Sequence, residues 1–222
     1  MTCKVKATMV HLRHVKRGSR EMNAKFFDLK KDKQDRMINA ALKVFAINGY
    51  RHASTDDVVK EAGISKGLLF HYFENKLGVY QFAYDYSVRY MSLELSTFVG
   101  NKERDLFEIV KQIQSARLDA MKGYPYMQQF LARSTYEDAN EVLSFIGQKK
   151  EILENAYADV YRRINFDALP QGTDGRLVYQ MINHAIDGLI LQHFQEGSFQ
   201  ADMVLGETMR YINVMQKMVT GR

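Results

Sequence analysis

Cysteine is almost missing from this chain: Cys3 stands alone, so no intrachain disulfide can form, which suits a reducing compartment and excludes a disulfide-stapled secreted scaffold. Tryptophan is absent and proline occurs only 2 times, at Pro125 and Pro170, which excludes collagen-like and proline-rich linker architectures. No apolar run approaches the roughly 18 residues that a membrane-spanning helix requires. The opening "MTCKVKATMVHLRHVKRGSR" lacks the apolar centre of a secretory leader. These absences lead to the expectation of a cytoplasmic protein with no membrane partner. What remains is a chain of 222 residues, 46% hydrophobic and 26% charged, long enough to bury a sizeable core.

Charge is spread unevenly. Residues 1–80 carry 16 Lys+Arg against 8 Asp+Glu, and residues 81–222 carry 15 against 18. A basic first part joined to a mildly acidic remainder suggests that the first part meets a polyanion. Net charge alone does not establish this, because residues 1–33 supply 10 basic and 3 acidic groups and a solvated basic tail would look the same.

Apolar residues recur at helical spacing, and breakers fall between helix-length segments, so the expected fold is all-α with about nine helices. A first helix from Asp32 shows Ile38, Ala41, Leu42 and Phe45 on one face and should stop at "NGY", where Gly49 can take a left-handed conformation. In "RHASTDDVVKEAG", Ser54 or Thr55 can cap a two-turn helix that Gly63 ends. Ser65 then caps "KGLLFHYF", giving the helix-turn-helix pattern. Longer helices are expected over 75–98, 103–121, 124–135, 140–166, 174–196 and 202–219. The resulting division is a basic, flexible extension over 1–31, a helix-turn-helix domain over 32–78 and a helical domain over 79–222.

A helix-turn-helix presents its second helix to the DNA major groove. Leu69 and Phe73, four apart, should point inward with Ile64. That leaves Ser65, Lys66, Gly67, Leu68, Phe70, His71 and Tyr72 as the candidate DNA-facing set. Lys66 can reach a base edge or phosphate, Gly67 permits close backbone approach, and Tyr72 and Lys76 offer phosphate donors, with Thr55 doing the same from the preceding helix.

At these residues the chain resembles the tetracycline-repressor (TetR) family of bacterial transcription regulators. The resemblance runs from Arg36 to Ala83, "RMINAALKVFAINGYRHASTDDVVKEAGISKGLLFHYFENKLGVYQFA", with the helix ahead, the "NGY" stop and the "YFENK" exit in family order. Phe70 stands where a tyrosine is usual, Leu68 where a small or hydroxylated residue is usual and Val59 where alanine is usual, while Asp56 adds negative charge near the DNA surface. Phe70 either touches a thymine methyl or packs inward.

The resemblance implies a C-terminal region that binds a small-molecule effector and forms a homodimer on a near-palindromic double-stranded DNA operator. The candidate ligand-facing residues are Tyr86, Tyr90, Met91, Arg117, Tyr126, Met127, Phe130, Phe145, Tyr157 and His184, although a Met and aromatic stripe at helical spacing also describes plain core. The candidate subunit contact is Val178, Ile182, Ala185 and Leu189 with Tyr211, Ile212 and Met215, on two helices that are apolar on more than one face. The implied activity is a ligand-released repressor. The alternative is a ligand- or protein-binding module that keeps the helix-turn-helix as scaffold without binding DNA.

No Gly-rich phosphate loop, nucleophile elbow or His-Glu-x-x-His helix occurs, so no enzyme, catalytic residue or cofactor is expected. The pair His11 and His14 lacks a third ligand, and no metal site is expected there. Met9 and Met22 leave the true start open.

Overall fold

The computed structural model describes residues 24–221, which form nine α-helices and two short 3₁₀ turns with no strand among the described residues. The basic segment with Cys3, Met9, His11, His14 and Met22 lies outside the described residues. The helices are α1 (Lys31–His52), α2 (Thr55–Ala62), α3 (Lys66–Phe73), α4 (Lys76–Phe98), α5 (Leu106–Gly123), α6 (Met127–Ser134), α7 (Asn140–Tyr161), α8 (Gly175–Gln195) and α9 (Ala201–Thr220). No described helix is long and apolar enough to cross a membrane.

Three boundaries differ from the sequence expectation. α5 starts at Leu106, not near Glu103, because Asp105 is its cap: Asp105 Oδ1 accepts from the Glu108 amide at 2.9 Å. Glu103 instead turns back on the chain, accepting from the Arg104 and Asp105 amides, and these bonds lower its pKa. α6 starts at Met127, because Tyr124 to Met127 form a turn in which Met127 N donates to Tyr124 O at 3.0 Å. Pro125 occupies the second turn position, to which its fixed φ is suited. α7 ends at Tyr161, where Asn165 N leaves the helical ladder to donate to Arg104 O at 2.8 Å.

The described chain groups into two compact units, 24–93 with 123–153, and 94–122 with 154–221. In the first, Met37, Ile38, Ala41, Leu42 and Phe45 of α1 are buried, as their spacing predicts. Gly49 ends the regular part of α1 at φ 67°, ψ 175°. Its φ is positive but its ψ is extended, so the chain turns sharply there instead of closing on a left-handed cap. The Tyr50 ring then lies 5.4 Å from that of Tyr80.

The same unit contains a feature expected to lie in the flexible extension. Phe26 and Phe27, in the 3₁₀ turn Ala24–Asp28, are buried, and the Phe26 ring meets those of Phe73 and Phe82 at 5.4 and 4.7 Å. Gln34 fixes the turn by donating from Nε2 to Phe27 O and Leu29 O at 3.0 and 2.7 Å. Two adjacent aromatics among lysines show no periodicity, so only the packing reveals their place in the core.

In the second unit α8 packs on α9, with Ile182, Ile186, Leu189 and Ile190 buried on one helix and Val204, Thr208 and Ile212 on the other. His193 joins the two, its Nδ1 2.9 Å from Ser198 Oγ and its Nε2 3.1 Å from Glu207 Oε2.

Candidate nucleic-acid interface

The two helices of the helix-turn-helix are set by two serine caps and one glycine. Ser54, and not Thr55, caps α2, its Oγ accepting from the Asp56 amide at 3.1 Å. Gly63 ends α2 at φ 62°, ψ 45°, a left-handed conformation that favours glycine. Arg36 of α1 reaches across to the terminal carbonyl of Ala62 at 3.1 Å. Ser65 caps α3, accepting from the Leu68 amide at 3.3 Å. Replacing Ser65 by Ala is expected to remove about 1 kcal/mol of stability, measured by urea unfolding, with the loss absent in Ser65→Asp.

On α3, Leu69 and Phe73 are buried, while Ser65, Lys66, Gly67 and His71 are exposed and Leu68, Phe70 and Tyr72 are half-buried. Four of the seven residues that the sequence assigned to the outer face are thus exposed. The Tyr72 ring nevertheless rests edge-on against Phe26, with centroids 5.7 Å apart, and against His71 at 4.9 Å.

The two lysines have different situations. Lys66 Nζ lies 2.7 Å from Asp56 Oδ1, its side chain 54% exposed, so the acidic group on α2 already holds the cation expected to meet DNA. Lys76 is half-buried and turned back, donating to Arg51 O at 3.3 Å and Ala53 O at 3.1 Å with its ammonium 4.5 Å from the Tyr50 ring centroid. Expected as an outward phosphate contact, Lys76 instead braces the end of α1, where free carbonyls and the negative end of the dipole attract a cation. Thr55 is half-buried at the first position of α2.

The turn from α3 into α4 is tight. Asn75 N donates to Phe73 O at 2.7 Å across Glu74, which sits at φ 63°, ψ −49°, a γ-turn in a strained backbone region. Asn75 then caps α4, its Oδ1 accepting from the Gly78 amide at 2.9 Å.

The residues expected at a ligand fall into separate groups. Tyr86, Met91, Met127 and Phe130 are buried in the first unit and Tyr90, Tyr126 and Phe145 are half-buried there. Several of them are plainly structural. Phe130 packs on Phe45 and Tyr80 at 6.3 and 5.2 Å, Phe145 on Tyr84 at 6.1 Å, and Tyr90 on Tyr86 and Tyr124 at 5.8 and 5.2 Å, while Met91 Sδ accepts from Gln128 at 3.0 Å. Tyr124, which the sequence did not single out, is the centre of a bonded chain: its hydroxyl meets Tyr86 at 2.6 Å, Asp35 at 2.9 Å and Lys31 at 3.1 Å. Burial pushes the Tyr124 phenol far above its usual range.

In the second unit Arg117 and Tyr157 are placed together with Gln114, Tyr179, Asn183 and Asp187, whereas His184 faces outward. Of the residues expected at a subunit contact, Ile182, Leu189 and Ile212 are buried within this unit, Val178, Ala185 and Met215 are half-buried, and Tyr211 is exposed. The large apolar residues left on the surface of α8 and α9 are Leu177, Met181, Leu191, Met203, Tyr211, Val214 and Met218. Among the described residues no group of three or more metal-ligating side chains occurs.

Capped helices joined through a left-handed glycine, the second one exposing a lysine and a glycine, define a helix-turn-helix head of the kind that transcription regulators carry. Residues 37–81 match the pattern of bacterial regulatory proteins of the tetR family. The helix-turn-helix head of the chain is thus similar to that of this family of DNA-binding regulators of transcription. It is 24% identical over 168 residues to the fatty acid metabolism regulator protein of Bacillus subtilis, covering 71% of this chain and 81% of that one. It is also 37% identical over 51 residues to TtgW, an HTH-type transcriptional regulator of Pseudomonas putida, covering 23% and 38% of the two chains. Among solved structures, FadR from Bacillus subtilis in complex with stearoyl-CoA superposes with a TM-score of 0.55 at 18% identity, over 84% of this chain and 98% of that one. The TetR-family regulator PfmR from Thermus thermophilus gives 0.54 at 17%, over 81% and 96%. At such identities the structures share the fold.

Proposed function

We propose that this chain is a homodimeric repressor that binds a near-palindromic operator through α3 and is released by a long-chain fatty acyl effector. The observation that carries the reading is the outer face of α3, where Lys66, Gly67 and His71 are exposed over a buried Leu69 and Phe73. Homodimerisation is supported by the exposed apolar residues Leu177, Met181 and Leu191 on α8 and Tyr211, Val214 and Met218 on α9, which two helix pairs would bury as a four-helix contact. The acyl class is supported by the names of the Bacillus subtilis relatives, a fatty acid metabolism regulator and a stearoyl-CoA complex. The protein acts by binding and catalyses no reaction.

Release requires an effector to bias two arrangements of the head. Within the first unit, Asn39 of α1 donates to Gly123 O and the Tyr124 hydroxyl donates to Asp35, both at 2.9 Å, so α1 is tied to the segment that follows Lys122.

DNA fragments retained by the protein from its own genome supply the operator for the test. Lys66→Ala should reduce the slope of log affinity against log salt by about 1, and Asp56→Asn should tighten binding, because it frees Lys66 and removes a charge that repels phosphate. Affinity that is insensitive to salt, with a slope unchanged in Lys66→Ala, would favour the scaffold reading instead.

A further inference from the structure

Arg117 stands on α5 beside the buried Ile113, Gln114, Ala116 and Ala120, with its side chain only 13% exposed. Withdrawing a guanidinium from water is costly unless its donors are bonded. Of its five N–H groups, one on Nη1 donates to Gln114 Oε1 at 3.1 Å and one on Nη2 to Asp187 Oδ1 at 2.6 Å. The Nε–H and one N–H on each terminal nitrogen make no hydrogen bond among the described residues. Gln114 is locked behind the arginine, since its Nε2 donates to Asn183 Oδ1 at 3.1 Å and Asn183 Nδ2 donates to Tyr179 O at 2.8 Å. The Tyr157 hydroxyl also makes no hydrogen bond among the described residues. Burial raises the pKa of that phenol and the Arg117 cation opposes the rise, which places the two groups within electrostatic reach.

The geometry points to Arg117, with Gln114 behind it and Tyr157 beside it, as the seat of a carboxylate carried by an otherwise apolar effector. This rests on the fatty acyl reading above and narrows it to the free acid in place of the thioester. Asp187 holds the seat in the absence of effector. Its side chain is 54% exposed, so it can turn into water at little cost when a ligand carboxylate replaces it. A guanidinium binds a carboxylate through two parallel bonds, and the unbonded donors supply the second of these, with the Tyr157 hydroxyl available as another. A single negative charge in the place of Asp187 balances Arg117, whereas a doubly charged phosphate there would leave the site with excess negative charge.

The test is isothermal titration of the full chain with three probes that share one acyl chain: stearic acid, its methyl ester and stearoyl-CoA. The wild type should bind the acid at least about tenfold more tightly than the ester. Arg117→Gln should bring the two to equal affinity by weakening the acid alone, and Asp187→Asn should tighten the acid by about threefold and leave the ester unchanged. Circular dichroism checks that Arg117→Gln is folded; if it is not, Asp187→Asn decides. Equal binding of acid and ester by the wild type, or an Asp187→Asn variant that binds the acid no better, overturns the carboxylate seat. Stearoyl-CoA binding retained in Arg117→Gln while the acid fails to bind the wild type would leave the acyl reading standing and the seat refuted. Failure of all three probes to bind removes both.

Discussion

Gly78→Ala is expected to unfold the junction between recognition helix and α4. A methyl group at this position would lie 1.9 Å from the Phe73 carbonyl oxygen and 3.0 Å from its carbon. Both are backbone atoms, pinned by the turn in which Phe73 O accepts from Asn75 N at 2.7 Å, so no side chain can swing aside to make room. Either α3 or the first turn of α4 must move, and the expected loss is about 3 kcal/mol, with operator binding lost in parallel. Thermal unfolding of the variant measures it. Gly67→Ala is the control on the neighbouring helix, because a methyl group there meets nothing within 4 Å. It should keep or slightly raise stability through helix propensity while weakening operator binding, if α3 approaches DNA as closely as a bare backbone allows. A Gly78→Ala protein as stable as the wild type would show that the α3 to α4 turn is looser than described.

Phe45→Ala should be more damaging still. Phe45 is 1% exposed and lies between the rings of Tyr80, Tyr50 and Phe130, at 5.0, 6.3 and 6.3 Å. The cavity would open where α1, α4 and α6 meet, and aromatic truncations of this kind cost about 3–5 kcal/mol. Urea unfolding should show the midpoint falling with little change in slope. Loss of operator binding should follow only from unfolding, since Phe45 does not reach the outer face of α3, and adding operator DNA should restore part of the stability by mass action. A loss below about 1 kcal/mol would mean that α6 can close over the gap.

Much of the helix-turn-helix was legible in the chain. Gly63 and Ser65 act through hydrogen bonds and backbone conformations that span no more than four residues, so their residue types announced them, while Ser54 stood as one of two candidates with Thr55. Leu69 and Phe73 were placed by helical spacing. Lys76 was not, because its partners are the carbonyls of Arg51 and Ala53, which nothing in the local pattern connects to it. The pairing of Lys66 with Asp56 was hidden for the same reason, since the two residues meet only after α3 folds back on α2. Tyr124 gave no signal, because its partners Asp35 and Tyr86 lie far from it in the chain.

The two faces of α8 make the division plain. Sequence established that the helix is apolar on more than one face, with Ile182 and Leu189 on one stripe and Leu177, Met181 and Leu191 on another, and periodicity cannot rank two stripes of similar hydropathy. Contact with Val204, Thr208 and Ile212 of α9 turned the first stripe inward and left the second in water. The number of helices, the serine caps of the head and the balance of charge along the chain were thus decided by the sequence alone, because they depend on residue types and on neighbours within a turn or two, whereas the ends of α5, α6 and α7 were not. Which apolar face is buried and what each lysine of the head is paired with were decided only by the tertiary structure, because burial and ion pairing depend on partners that the chain brings together from a distance.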